Sequence, residues 1–223
     1  MPANRIIVYS HGFGVQKDDR GLFSDIAASL PDFEHVMFEY NEVDSEKNQM
    51  TVSSIDKQAE RLLNEINKVR TEKPDAEINL ICHSQGCTVA ALLMPHNIAK
   101  TIFTAPPMSV NVEGMLKFFG DRPGALVEVG GKSTIPRRDG STTIIPNDYW
   151  KSLEGVDPPK LYNDFAKIIS LTILNAQQDE VLSNSDASAL NTDIDVITLP
   201  GDHNFTGEDR TKLKETILQA LSD

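Results

Sequence analysis

Apolar positions along the chain form short blocks that switch between strand-like runs and helical spacing. Arg5 to Ser10 (RIIVYS) is a compact apolar run of strand length. Asp18 to Leu30 reads as a helix, with Leu22, Ile26 and Leu30 on one face and Pro31-Asp32 to end it. Val36 to Tyr40 (VMFEY) is a second strand. Ser53 to Arg70 predicts a long amphipathic helix, with Ile55, Ala59, Leu62, Ile66 and Val69 on its stripe and Ser53 or Ser54 to cap it. Lys73-Pro74-Asp75 breaks the chain. A strand over Ile78 to Cys82, a helix over Gln85 to Met94 stopped by Pro95, and a strand over Lys100 to Thr104 follow.

Strand–helix–strand repeats with connections of this length predict an α/β fold: a mainly parallel sheet with helices on both faces. Ligands in such sheets bind beyond the carboxyl ends of the strands. The alternation fails from Met108 to about Lys160. Here Val112 to Phe119 and Asp148 to Leu153 suggest short helices. Ala125 to Val129 and Thr142 to Ile145 suggest a hairpin around the polar segment Gly130 to Gly140. The expected division is a core of residues 1–107 and 161–223 with a small cap insertion over 108–160; a peripheral excursion with no substrate role is the other reading. Strands at Ile168 to Leu174 and Asp195 to Leu199 resume the core. A helix over Glu208 to Leu221 closes it, with Thr206 and Asp209 spaced for a capping box.

Three polar side chains follow predicted strands. Ser84 follows INLIC, Asp179 follows the strand ending at Leu174, and His203 follows the strand ending at Leu199. A serine hydroxyl needs a base within reach and a third group to orient that base, and Ser, Asp, His is one of the known chain orders for such a set. Singly, each has a plainer reading: Ser84 as a helix cap, His203 as a loop histidine, Asp179 as a solvated acid beside Glu180. Asp186 is a further candidate for the acid. The segment His11-Gly12-Phe13-Gly14 follows the first strand directly, and its glycines let the main chain approach a site and offer an N–H to an oxyanion. His11 reads as a structural loop histidine. The loop lacks the glycine spacing and the lysine–serine pair of phosphate-binding motifs.

Bulk properties narrow the classes. The chain has 223 residues and a formal net charge of −12, a surface that disfavours nucleic acid. No apolar stretch approaches the roughly 20 residues of a membrane span, so no membrane insertion is expected. The start, MPANRIIVYSHG, lacks a signal-peptide pattern, and cytoplasmic residence is the default expectation. Cys82 and Cys87 straddle the turn at Ser84, which argues against a disulfide staple and supplies no metal cluster.

The combined motifs resemble the α/β-hydrolase superfamily, small serine esterases in particular, over nearly the whole length. The resemblance implies that Ser84, in Cys82-His83-Ser84-Gln85-Gly86, is the nucleophile on its strand–turn–helix elbow. It implies Phe13 and Gln85 as backbone oxyanion donors, Asp179 as the acid, and His203 as the general base and acid. It further implies acyl transfer on a small carboxylic ester with no metal or organic cofactor; thioesters, amides and peptides are alternative substrates of the same fold, and a non-catalytic binding protein is the competing class. Two departures stand out. Cys82 occupies the usual first glycine of the elbow, and two strands that commonly precede the HGFG loop have no room here. Met108, Phe118, Phe119, Tyr149 and Trp150 are candidates for an acyl pocket or, equally, for the insertion's own core. Lys132, Arg137 and Arg138 could attract an acidic substrate tail or simply solvate a hairpin turn.

Overall fold

Six of the apolar runs become one parallel sheet. The computed structural model describes residues 4–137, 139–182 and 186–222, so Arg138 lies outside the described residues. The strands are β1 (Arg5–Ser10), β2 (Glu34–Val36), β5 (Glu77–His83), β6 (Lys100–Thr104), β9 (Ser170–Ala176) and β10 (Asp195–Leu199), in the order β10-β9-β6-β5-β1-β2. Side chains alternate between two apolar layers, as strand geometry requires. Ile6 and Val8 join Leu80 and Phe103 on one face, while Ile7 and Tyr9 join Ile81 and Ile102 on the other. The first layer is covered by α2 (Ile55–Glu72), α3 (Gln85–Leu93) and α6 (Pro158–Ala166), the second by α1 (Leu22–Ala28) and α7 (Asp209–Ser222).

A second sheet lies outside this frame. It runs β3 (Glu42–Asp44), β4 (Gln49–Thr51), β8 (Thr142–Pro146), β7 (Lys132–Pro136). The sequence pattern gave no sign of β3 or β4, which are three residues each and largely polar. They join residues 42–51 to the 108–160 segment through the parallel β4–β8 ladder. Helices α4 (Val112–Gly120) and α5 (Asn147–Ser152) complete this part. Phe119, Ile135, Ile145, Tyr149 and Trp150 are buried in the same apolar cluster as the core strands, so the cap-like insertion and the core share one interior.

Several expectations shift. The hairpin forms between β7 and β8, not from Ala125 to Val129. Of that run only Leu126 bridges Thr134, and Leu126 and Val129 face solvent, whereas Ser133 and Ile135 alternate inward. The second strand ends at Val36 because Phe38 and Tyr40 leave the ladder to bury their rings. Helix α1 starts four residues late: Asp19, Arg20 and Gly21 adopt left-handed conformations (φ 45°, 60° and 87°), which end any helical path before Leu22. Ser54 holds the N-cap position of α2 without a side-chain cap bond, and Ser53 Oγ donates to the Tyr40 carbonyl instead. The Thr206 hydroxyl donates to Asp202 rather than capping α7. Helix α6 was not foreseen, although Asp157 caps it by accepting the Lys160 amide and Pro158 opens it.

Candidate active site

Strand β5 ends at His83, and the chain reverses at Ser84 (φ 51°, ψ −127°) directly into α3. This is a strained backbone for a residue with a Cβ, of the order of 1–3 kcal/mol, and it holds the side chain off both elements. The corner is tight. A Cβ on Gly86 would lie 2.1 Å from the Ser10 carbonyl oxygen, so only glycine fits where α3 crosses the end of β1. Ser10 Oγ donates to the Gly86 carbonyl at 2.8 Å and closes the same crossing. Cys82 is fully buried beneath the corner, and Cys82 and Cys87 are both free thiols whose ionisation burial opposes. Ser84 itself stays partly exposed.

Two loops at the carboxyl edge meet Ser84. His203 Nε2 lies 3.0 Å from Ser84 Oγ, and His203 Nδ1 lies 2.7 Å from Asp179 Oδ2. The other carboxylate oxygen, Asp179 Oδ1, accepts the amides of Val181 and Leu182 at 2.9 and 2.8 Å. Burial pushes the Asp179 carboxyl up, but the His203 hydrogen bond and charge, with those two amides, outweigh it and hold the group below the ordinary aspartate value. The neighbouring acids have other work. Glu180 Oε2 accepts the His203 backbone amide, Asp202 accepts the amides of Asn204 and Thr206, and Asp186 accepts the Ser188 amide. Gln178 and Gly201 exchange bonds between the two loops, and Arg210 ties the Asn204 and Phe205 carbonyls to Asp25 on α1.

The glycine loop closes the fourth side. A Cβ on Gly12 would stand 3.2 Å from Ser84 Cβ, which measures how near the loop comes. The Gly12 amide donates to Asp19 Oδ2 at 2.7 Å. Among the described residues the Phe13 amide has no acceptor, and the Gln85 amide, first in α3, has none within its helix. His11 is a structural residue: its Nε2 accepts the Tyr40 amide, which requires Nδ1 to carry the proton and donate to the Gly12 carbonyl. Burial lowers the His11 pKa and keeps that ring neutral.

The sequence did not point to several supports. Asp19 is 2% exposed and braces the glycine loop, and nothing in the polar run Lys17 to Arg20 distinguishes it from a surface acid. The Gln85 side chain is held by Gln58 (3.0 Å) and by the Tyr149 hydroxyl (2.5 Å). Gln58 had a signal, since a glutamine stands on the apolar stripe of α2. His83 Nδ1 meets Thr104 Oγ1 at 3.0 Å, and its ring lies 5.0 Å from that of His203.

The five aromatic and methionine candidates divide. Phe119 and Tyr149 flank Phe13, with ring centroids 5.4 and 5.0 Å away. Trp150 and Met108 are buried in the shared core, while Phe118 is 51% exposed beneath the Arg122 guanidinium. No group of three or more His, Cys, Asp or Glu among the described residues is placed to hold a metal ion.

Solved structures share this architecture. The esterase domain of a Rhodothermus marinus protein matches with a TM-score of 0.66 at 15% identity, over 97% of this chain and 85% of that one. Est1E from Butyrivibrio proteoclasticus matches with a TM-score of 0.64 at 16% identity, over 99% and 89%. An alpha-beta serine hydrolase homologue from Coxiella burnetii matches with a TM-score of 0.60 at 14% identity, over 97% and 84%. The fold is that of the α/β-hydrolases. Residues 37–119 match the model of a T6SS Tle3 phospholipase effector domain. No curated protein sequence matches the chain.

Proposed function

We propose that this protein is a serine hydrolase that cleaves small carboxylic esters through an acyl-enzyme. The observation that carries the reading is the hydrogen-bonded line Ser84–His203–Asp179 at the carboxyl edge of the sheet. Asp179, ionised at neutral pH, fixes the proton of the neutral imidazole on Nδ1 and leaves Nε2 free to accept from Ser84. Ser84 Oγ attacks the ester carbonyl as Nε2 takes its proton. The resulting imidazolium is stabilised by Asp179, and the tetrahedral oxyanion is held by the Phe13 and Gln85 amides. His203 then protonates the leaving alcohol, and water repeats the sequence to release the acid. An oxyanion donor contributes about 3–4 kcal/mol in such sites. Phe119 and Tyr149, beside Phe13, line the acyl side. The same proposal places the protein in the cytoplasm, in keeping with two buried free thiols.

A second reading has its own support. The match of residues 37–119 to a phospholipase effector domain, with Phe118, Leu126 and Val129 exposed, favours a lipid ester. One experiment separates the two and tests both. Purified protein is treated with a serine-directed fluorophosphonate and assayed on 4-nitrophenyl esters of rising acyl length and on phospholipid vesicles. Labelling at Ser84 with turnover of short esters in solution supports the first reading, and turnover confined to vesicles supports the second. An unlabelled Ser84 with no turnover of any substrate would refute both.

A further inference from the structure

The chain carries 33 acidic against 21 basic residues, yet a guanidinium packs directly on one loop of the site. Arg137, half-buried at the end of β7, reaches back across the glycine loop. Its Nη2 donates to the Gly14 carbonyl and its Nε donates to Thr143 Oγ1 at 2.6 Å. A Cβ on Gly14 (φ 59°) would run into this guanidinium, so the group packs directly on the loop whose Gly12 stands against Ser84. Arg20 and Arg122 are close enough for their charges to act on Arg137. Burial first, and then these two cations, lower the Arg137 pKa to about 10, with Asp139 offsetting only part. Among the described residues neither Arg20 nor Arg137 forms an ion pair. Asp19 acts on Arg20 from the adjacent position but spends its Oδ2 on the Gly12 amide. Arg20 is exposed on a turn that holds it in the left-handed region, at φ 60°.

A half-buried guanidinium without a carboxylate partner is costly, and an anion placed beside Arg137 would offset part of that cost. Guanidinium groups suit carboxylate and phosphate oxygens because of their planar fork of donors. We propose that the ester cleaved here carries a negatively charged carboxylate or phosphate, and that Arg20 and Arg137 receive it beside the glycine loop. This rests on the hydrolase reading above and adds to it the charge of the substrate.

The test compares matched esters on the intact protein. Mono-4-nitrophenyl succinate is set against 4-nitrophenyl butyrate, and 4-carboxyphenyl and 4-phosphonooxyphenyl butyrates are set against phenyl butyrate. These arms separate an anion on the acyl side from one on the alcohol side, and carboxylate from phosphate. The expected result is at least a tenfold higher kcat/KM for one anionic ester over its neutral partner at low salt, shrinking as salt rises. Arg20→Gln should cut that ratio several-fold. Lys57→Gln, the same charge change on the exposed side of α2, should not. Arg137→Lys keeps the charge but loses the fork and should also cut the ratio. Neutral esters turned over with no anionic preference, or a ratio that falls equally in R20Q and K57Q, would overturn the inference and leave the hydrolase reading standing. No turnover of any ester and no labelling of Ser84 would remove the hydrolase reading itself, and the inference with it.

Discussion

Replacing Gly86 with alanine tests whether the corner beneath Ser84 is as closed as its geometry requires. The added Cβ would lie 2.1 Å from the Ser10 oxygen, 2.6 Å from the Ser10 carbonyl carbon and 2.8 Å from the His11 oxygen. All three are backbone atoms at the end of β1, in a segment that pairs with β5 from Arg5 to Ser10, so no side chain can swing aside. The crossing must open by more than about 1 Å, at the upper end of the roughly 1–3 kcal/mol that overpacking costs. In a chain of this size about 3 kcal/mol corresponds to a Tm lower by about 6–12 °C. The displaced atoms lead straight into the glycine loop, so ester turnover should fall at least tenfold in the protein that remains folded. Thermal unfolding followed by circular dichroism, with turnover measured well below the transition, reads both effects. Gly131→Ala is the control, because its Cβ would meet only the end of the flexible Glu128 side chain and should leave Tm nearly unchanged. A G86A protein that melts within 2 °C of the parent and keeps its rate would refute the account of the elbow.

Other perturbations have defined outcomes. Asp179→Asn can keep its oxygen toward the Val181 and Leu182 amides but then turns an NH2 toward His203 Nδ1; turnover should drop about 10⁴-fold with Tm little altered, and parent-like turnover would move the acid role elsewhere. Asp19→Ala removes the acceptor for the Gly12 amide and should lower kcat more than KM, by roughly tenfold, whereas Asp19→Asn keeps an acceptor and should recover most of the loss; equal effects in the two variants would count against a bracing role. His11, His35 and His83 each titrate below the ordinary value of 6.5, chiefly through burial. The unfolded chain therefore binds their protons first, and stability should fall as pH drops below about 6.5, before most carboxylates titrate. Asp19, raised by burial, works in the opposite direction as it protonates. Melting curves at pH 7.5 and 5.5 decide this, and an unchanged Tm would show that the three rings accept protons without loss of their contacts.

Much of this molecule was legible in the order of its residues. Lys100–Thr104 and Asp195–Leu199 form strands over the expected residues, because each is a short run rich in β-branched residues, Thr101, Ile102 and Thr104 in one and Val196, Ile197 and Thr198 in the other. Ser84, Asp179 and His203 stood out because each follows such a strand. Tertiary burial overrode local pattern at Phe38 and Tyr40, which have strand chemistry but serve as core rings. The second sheet was hidden for the opposite reason: β3 and β4 are short and polar, and only their partner β8 gives them a place. Asp157-Pro158 did announce a helix start, but it fell at the end of a stretch with no other periodicity. Asp19 could not be found at all, since a buried acid and a surface acid are written with the same letter and only the folded loop distinguishes them.

The β4–β8 ladder bears on how such a protein can be re-engineered. Gln49, Met50 and Thr51 are in register with Thr142, Thr143 and Ile144, and Ser152 Oγ accepts the Ile55 amide at the start of α2. Arg137 clasps Gly14 from the same side. Residues 108–160 are therefore not a cassette. A chimera that imports this segment from another hydrolase to change selectivity would leave residues 42–51 without a neighbour and Gly14 without its clasp. The unit of exchange is the pair of segments together, and recombination breakpoints placed only at 107 and 161 should yield poorly folded hybrids.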